Sequence, residues 1–283
     1  MNVNPNDPKH SESLQRLLKI MNELRAKCPW DKEQTLSSLR YLTIEETYEL
    51  SDAILENDLN AIKKELGDLL LHIIFYTKIT AEQNAFDIRD VIDSLCDKLI
   101  RRHPHVYGTA HADDATAVKQ NWEQLKLKEK GNHSALSGVP SSLPALLKAI
   151  RIQEKARGVG FDWRPDDLAS VWHKVNEELQ EFVEHIDPIT QKPHNQTEAE
   201  NEFGDILFSL VNYARFVGIN PEDALEKTNK KFTRRFLWME NTLRQTGQAM
   251  HTLTLEELEN YWQQAKKAVD TPTDTTATQQ TPR

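Results

Sequence analysis

The amino-acid sequence repeats itself. IEETYEL (44–50) returns as NEELQEF (176–182), and KELGDLL (64–70) returns as NEFGDIL (201–207). Downstream, DKLIRR (97–102) is answered by KKFTRR (230–235) and NWEQLK (121–126) by YWQQAK (261–266), while CPWDKEQ and GFDWRPDD each set a Trp–Asp signal ahead of the first acidic block. Blocks recurring in one order indicate a tandem duplication, so a fold that suits one half must suit the other.

Each half reads as helix. Leu66, Leu69, Leu70, Ile73, Ile74 and Phe75 recur at helical spacing, and apolar/polar alternation persists nowhere. Boundary signals agree: Asn220-Pro221 as N-cap and first residue, Gly247 near a helix end, and Thr254 with Glu257 as a capping box. The expected fold class is all-α, as two helical bundles. Residues 1–10 are expected to be disordered, 11–130 to form the first repeat, 131–143 a Gly/Ser/Pro-rich linker, 144–268 the second repeat, and 269–283 a polar disordered tail.

Charge and composition narrow the function. The net charge of −9 disfavours non-specific binding to nucleic acid, which needs a basic surface. No run of roughly 18 apolar residues is present to span a membrane. The amino terminus has no signal-peptide pattern, so a cytoplasmic location is expected. Cys28 and Cys96 form no C-x-x-C pair, which argues against a disulfide scaffold and a thiolate zinc site.

The acids raise the central question. Glu65 and Asp68 stand one turn apart inside an otherwise apolar helix, as do Glu202 and Asp205, while Glu46 and Glu49 share a face in the first half and Glu178 and Glu181 in the second. Two antiparallel helices can thus aim four carboxylates at one point in each half. A Glu-rich face alone is usually a solvated one, but these acids are framed by Leu, Ile and Phe and recur in both halves. Like charges at this spacing oppose helix formation by about 0.2–0.5 kcal/mol per pair, and burial adds to that, so a cation is called for. Hard oxygen donors without thiolates suit Mg²⁺ or Mn²⁺. A ferritin-like di-iron site would need Glu-x-x-His on two helices; here the matching position is Asp, and His72 has Ser209 as its counterpart. Lys231 and Arg235, four apart, are echoed by Lys98 and Arg102, with Trp262 and Trp122 beyond, a pattern consistent with a phosphate clamp and a stacking ring.

E-E-x-x-E followed by E-x-x-D, together with GFDW and NKKFTRRF, resembles the MazG family of nucleoside triphosphate pyrophosphohydrolases in its long two-repeat form, over nearly the whole chain. The resemblance implies an all-α, usually dimeric enzyme that cleaves NTPs and dNTPs to the monophosphate and pyrophosphate with Mg²⁺. Carried over by motif, it implies Glu178, Glu181, Glu202 and Asp205 as metal ligands, with Glu46, Glu49, Glu65 and Asp68 as a second set. It further implies Lys174, Lys231 and Arg235 as phosphate contacts and Trp262 as the stacking residue. Glu177 is left to orient or deprotonate the attacking water, next to Glu178. Lys174 has Leu42 as its counterpart, so the second half is expected to hold one more cation and to be the main catalytic half. The competing class is a regulatory module that senses nucleotides or alarmones without turnover; a purely structural helical scaffold would leave the repeated acids without a reason.

Overall fold

The computed structural model describes residue 4 and residues 7–108 and 134–270. The described residues are almost wholly helical; their β structure is a single antiparallel bridge between Ile186 and Pro193. The chain divides into two compact units, Met1–Gly131 and Asn132–Arg283.

The first unit contains α1 (Pro8–Lys27), the short α2 (Pro29–Glu33), α3 (Leu36–Leu55), α4 (Leu59–Glu82), α5 (Ile88–Arg102) and the short α6 (Pro104–Tyr107). Its centre is the hairpin of α3 and α4, closed by a three-residue turn in which Asn57 takes φ +55°. Local chemistry fixes both helix starts: Thr35 and Ser38 form a reciprocal capping box, and Asp58 accepts from the amides of Asn60 and Ala61. Met21 from α1, Leu39 from α3, and Ile74, Phe75 and Ile79 from α4 form the buried core. The first helix begins earlier than the sequence suggests. Asp7 caps it and Pro8 sits in its first turn, so residues 8–10, expected to be disordered, are helical.

The second unit contains α7 (Ala145–Gly158), α8 (Leu168–Glu184), α9 (Gln196–Phe216), α10 (Pro221–Thr246), a 3₁₀ turn (Met250–Thr252) and α11 (Leu255–Asp270). Helices α8 and α9 repeat the α3/α4 hairpin, but their connection is longer and holds the Ile186–Pro193 bridge. Asn220 caps α10, Gly247 ends it at φ +71°, and the Thr254–Glu257 box starts α11. Helix α11 runs on to Asp270, two residues past the expected edge of the repeat. Trp122 and residues 271–283, expected to be a stacking residue and a disordered tail, lie outside the described residues.

Ile74 is 1% exposed at the centre of the first unit. Ile74→Ala is expected to cost about 2–5 kcal/mol. Urea denaturation followed by circular dichroism will show the transition of the first unit moving to lower urea, while that of the second unit stays in place.

Candidate metal and substrate site

In the second unit the hairpin brings Glu178 and Glu181 of α8 against Glu202 of α9, each with a carboxylate oxygen within 4.8 Å of the others. Glu178 is buried. One turn before it, Lys174 places its Nζ 2.7 Å from Glu178 Oε1 and 2.8 Å from Glu177 Oε1. Hydrogen bonds to Glu177 and then to Glu178 raise the Lys174 pKa well above the ordinary lysine value. The Lys174 hydrogen bond in turn holds the Glu177 carboxyl below the usual range. Glu181 is shifted the other way, by desolvation first and then by the charge and hydrogen bond of Glu178. Glu177 stands outside the triad, and its carboxylate accepts a hydrogen bond from Lys174. Asp205, one turn after Glu202, is also outside the triad; it lines a cavity together with Glu178.

The first unit has the equivalent triad, Glu46, Glu49 and Glu65. Glu65 is 6% exposed, and its Oε2 has no hydrogen-bond partner. Burial, then Asp68, Glu49 and Glu65, push the Glu46 carboxyl up. A lysine attends this cluster too: Lys64 Nζ lies 3.0 Å from Glu65 Oε1, 3.8 Å from Asp68 Oδ2 and 3.9 Å from Glu49 Oε2. The expectation of one more cation in the second half is thus corrected. The counterpart of Lys64 is Asn201, that of Lys174 is Leu42, and each unit supplies one lysine from the opposite helix of its hairpin.

Beside Glu178 and Asp205 the second unit holds a cavity of about 450 Å³, walled by Ile152, Phe161, Trp163, Val171 and Phe208 among others. Two contacts hold its outer wall. Arg215 makes a two-pronged pair with Asp162, at 2.8 and 2.6 Å, which anchors the GFDW loop after the turn at Gly160 (φ +87°). Lys155 donates to the carbonyl of Ser137 at 2.7 Å and fixes the segment carrying the wall residues Ala135 and Leu136. That segment, expected to be linker, is therefore part of the site. In the first unit the counterparts of Ser209 and Asn212 are His72 and Phe75, both buried, and Phe75 belongs to the core against which Leu42 packs.

Of the predicted phosphate contacts, Lys174 lines the cavity and the others fall elsewhere. Lys231 and Arg235 lie on α10, where Arg235 pairs with Asp270 and lies over the Trp262 ring, 5.4 Å from its centroid; Phe232 packs on the same ring at 5.0 Å. The structure brings Arg235 and Trp262 together, but none of Lys231, Arg235 and Trp262 lines the cavity. Lys98 is exposed on α5, in a surface hollow with Asp90, Asp97 and Arg101, and Arg102 ends that helix. Sequence reasoning missed Lys64, Gln153, Asp162, Asn212 and Arg215; of these only Asp162 carried a signal, inside the repeated Trp–Asp motif.

The donor set fits a hard divalent cation. Each triad offers only carboxylate oxygens, an ammonium stands against each, and Glu65 keeps an unpartnered buried oxygen. His72 joins neither triad, which removes the imidazole a di-iron site would need.

The chain is an all-α tandem repeat with a carboxylate triad, the donor set for a cation, in each hairpin. A family model described as the MazG nucleotide pyrophosphohydrolase domain matches residues 34–107 and 167–238, and the chain belongs to that family. It is 43% identical over 260 residues to the nucleoside triphosphate pyrophosphohydrolase of Escherichia coli K12, covering 90% of this chain and 97% of that protein. It is also 43% identical over 261 residues to the nucleoside triphosphate pyrophosphohydrolase/pyrophosphatase MazG of Thermotoga maritima, covering 91% and 97%. A Bacillus subtilis protein, YabN, is 44% identical over 252 residues that make up half of its length.

Raised pKa values at Glu46 and Glu181 make these two groups hold protons more tightly in the metal-free folded chain than in the unfolded one, so their contribution to stability is lost as pH rises through that window. A divalent cation opposes this by binding the ionised, folded form. Differential scanning fluorimetry is expected to show millimolar Mg²⁺ raising the Tm at about pH 7.5 and the increment shrinking toward about pH 5.

Proposed function

We propose that this protein hydrolyses nucleoside triphosphates, ribo and deoxy, between the α- and β-phosphates, releasing the monophosphate and pyrophosphate, and that the second unit carries the reaction. The observation behind this reading is the Glu178–Glu181–Glu202 triad opening beside a 450 Å³ cavity. Phosphates and a base need both parts; in the first unit Phe75, at the position of Asn212, belongs to the buried core.

Glu178, Glu181 and Glu202 hold Mg²⁺, with Mn²⁺ as a substitute, and Asp205 completes the set from the cavity side. When bound, the metal supplies polarisation of the phosphate oxygens and a water of lowered pKa. With a cation held by those carboxylates, Lys174 would be free to turn its ammonium from Glu178 toward the triphosphate. Glu177, held by Lys174, positions that ammonium and does not take the proton. Lys231 and Arg235 form the outer phosphate clamp, with Arg235 exchanging Asp270 for phosphate and Trp262 seating its guanidinium. The cavity takes the base, a role expected of Trp262 from sequence. The first-unit set of Glu46, Glu49, Glu65 and Asp68, with Lys98 and Arg102 downstream, remains a cation site of lesser catalytic weight.

We infer a homodimer from the exposed apolar stripe of Phe203, Leu207 and Leu210 on α9, which Leu66, Leu70 and Ile73 repeat on α4. No helix among the described residues is long and apolar enough to cross a membrane. With the net charge of −9 this favours a cytoplasmic enzyme of small nucleotides over one acting on membranes or nucleic acid.

Incubation with ATP and Mg²⁺ will yield AMP and pyrophosphate rather than ADP and phosphate, and EDTA or Glu202→Ala will abolish both products. Substituting a metal ligand outright is expected to cost about a hundredfold or more, since even outer-shell changes reach that order. Glu178→Ala will show this loss and Glu46→Ala far less; the reverse ranking would move the reaction to the first unit.

A further inference from the structure

Asp270 is the last residue of α11, an end at which the helix dipole disfavours an acid. It stands against a basic cluster on α10. Arg235 Nε donates to Asp270 Oδ1 at 3.2 Å and Arg235 Nη2 donates to Oδ2, so the guanidinium grips both carboxylate oxygens, and the Arg235 side chain is left only 13% exposed. The Arg235 hydrogen bond, with the charges of Arg235, Lys231 and Arg234, holds the Asp270 carboxyl below the usual range. Arg235 also lies over the Trp262 ring, on which Phe232 packs.

A guanidinium that holds two oxygens of one acid has the geometry in which arginine holds phosphate as well as carboxylate. A side chain of this protein therefore occupies the place that an anionic ligand of the cluster needs. The repeat shows that the acid is separable from the cations. Lys98 and Arg102 answer Lys231 and Arg235, whereas the register of NWEQLK on YWQQAK sets Lys130 at the position of Asp270. The basic pair is written in both halves and the acid in one.

We propose that Asp270 is an internal competitor for the phosphate clamp: its carboxylate holds Arg235 while no phosphate is present, yields it to an entering polyphosphate, and reclaims it as pyrophosphate leaves. The inference rests on the triphosphatase reading above and adds a residue that sets how firmly the clamp keeps its anion. Competition of this kind reduces apparent affinity by the fraction of clamps left free, for substrate and product alike.

Calorimetric titration of the full chain with inorganic pyrophosphate, in EDTA, reads the clamp without metal or turnover. Asp270→Asn keeps the shape and removes the charge; the dissociation constant is expected to fall by about threefold or more. Glu256→Gln removes the same charge at the opposite end of α11 and is expected to leave the constant in place. The gain is expected to vanish when Arg235→Met is added to Asp270→Asn. Unchanged or weaker affinity in Asp270→Asn, an equal gain in Glu256→Gln, or a gain that persists without Arg235 overturns the proposal. If Arg235→Met unfolds the chain, Asp270→Asn against Glu256→Gln decides alone. A tighter Asp270→Asn clamp in a chain that releases no pyrophosphate from any NTP or dNTP removes the functional reading and keeps the competitor, whereas turnover with unchanged pyrophosphate affinity removes the competitor alone.

Discussion

Three carboxylates held within 4.8 Å of one another between two packed helices set the terms for the rest of each unit. Carboxylates so placed repel, and where one is buried, as Glu178 and Glu65 are, the repulsion is poorly screened by solvent. The arrangement persists because the surrounding hairpin is over-determined: capped at its helix starts, closed by a turn, and backed by a core that includes Ile74 and Phe75 in one unit and Val171, Val175 and Ile206 in the other. It also persists because an ammonium meets each triad. A charge cluster needing a counter-charge, on a scaffold that does not yield, is a preorganised cation site.

Much of this was legible in the sequence because it is local. The period of the apolar residues, the Asn220-Pro221 and Thr254–Glu257 helix starts, and acids at i and i+3 on two neighbouring helices are all readable within a turn or two. What was not legible depends on residues far apart in the chain. Lys64 was overlooked although Glu65 and Asp68 share its helix; its 3.9 Å contact with Glu49 is the part that needs α3 packed on α4. Arg235 was read as a free phosphate contact; its pairing with Asp270 joins positions 35 residues apart. Gln153 carried no pattern at all: its amide is fixed by a carbonyl 55 residues downstream. The acidic motif holds one distinction that its equal spacing did not show: Glu178, Glu181 and Glu202 gather within 4.8 Å of one another, while Asp205 lines the cavity.

The duplication allows the two units to be compared as variants of one hairpin. Both keep the triad, and both supply one lysine, yet from opposite helices: Lys174 of α8 has an apolar counterpart in Leu42, and Lys64 of α4 a neutral one in Asn201. The need for a cation was therefore retained while its source changed, which is what an electrostatic requirement predicts and a merely structural contact does not.

Space was not retained in the same way. In the first unit Leu42 packs against a core containing Phe75, with buried His72 one turn earlier on α4; this filling favours stability. In the second unit the same positions carry Lys174, Asn212 and Ser209, and all three line a hollow. The duplicated hairpin thus keeps its acids in both units, while Leu42 and Phe75 belong to or pack on an apolar core in one and their counterparts Lys174 and Asn212 line a cavity in the other.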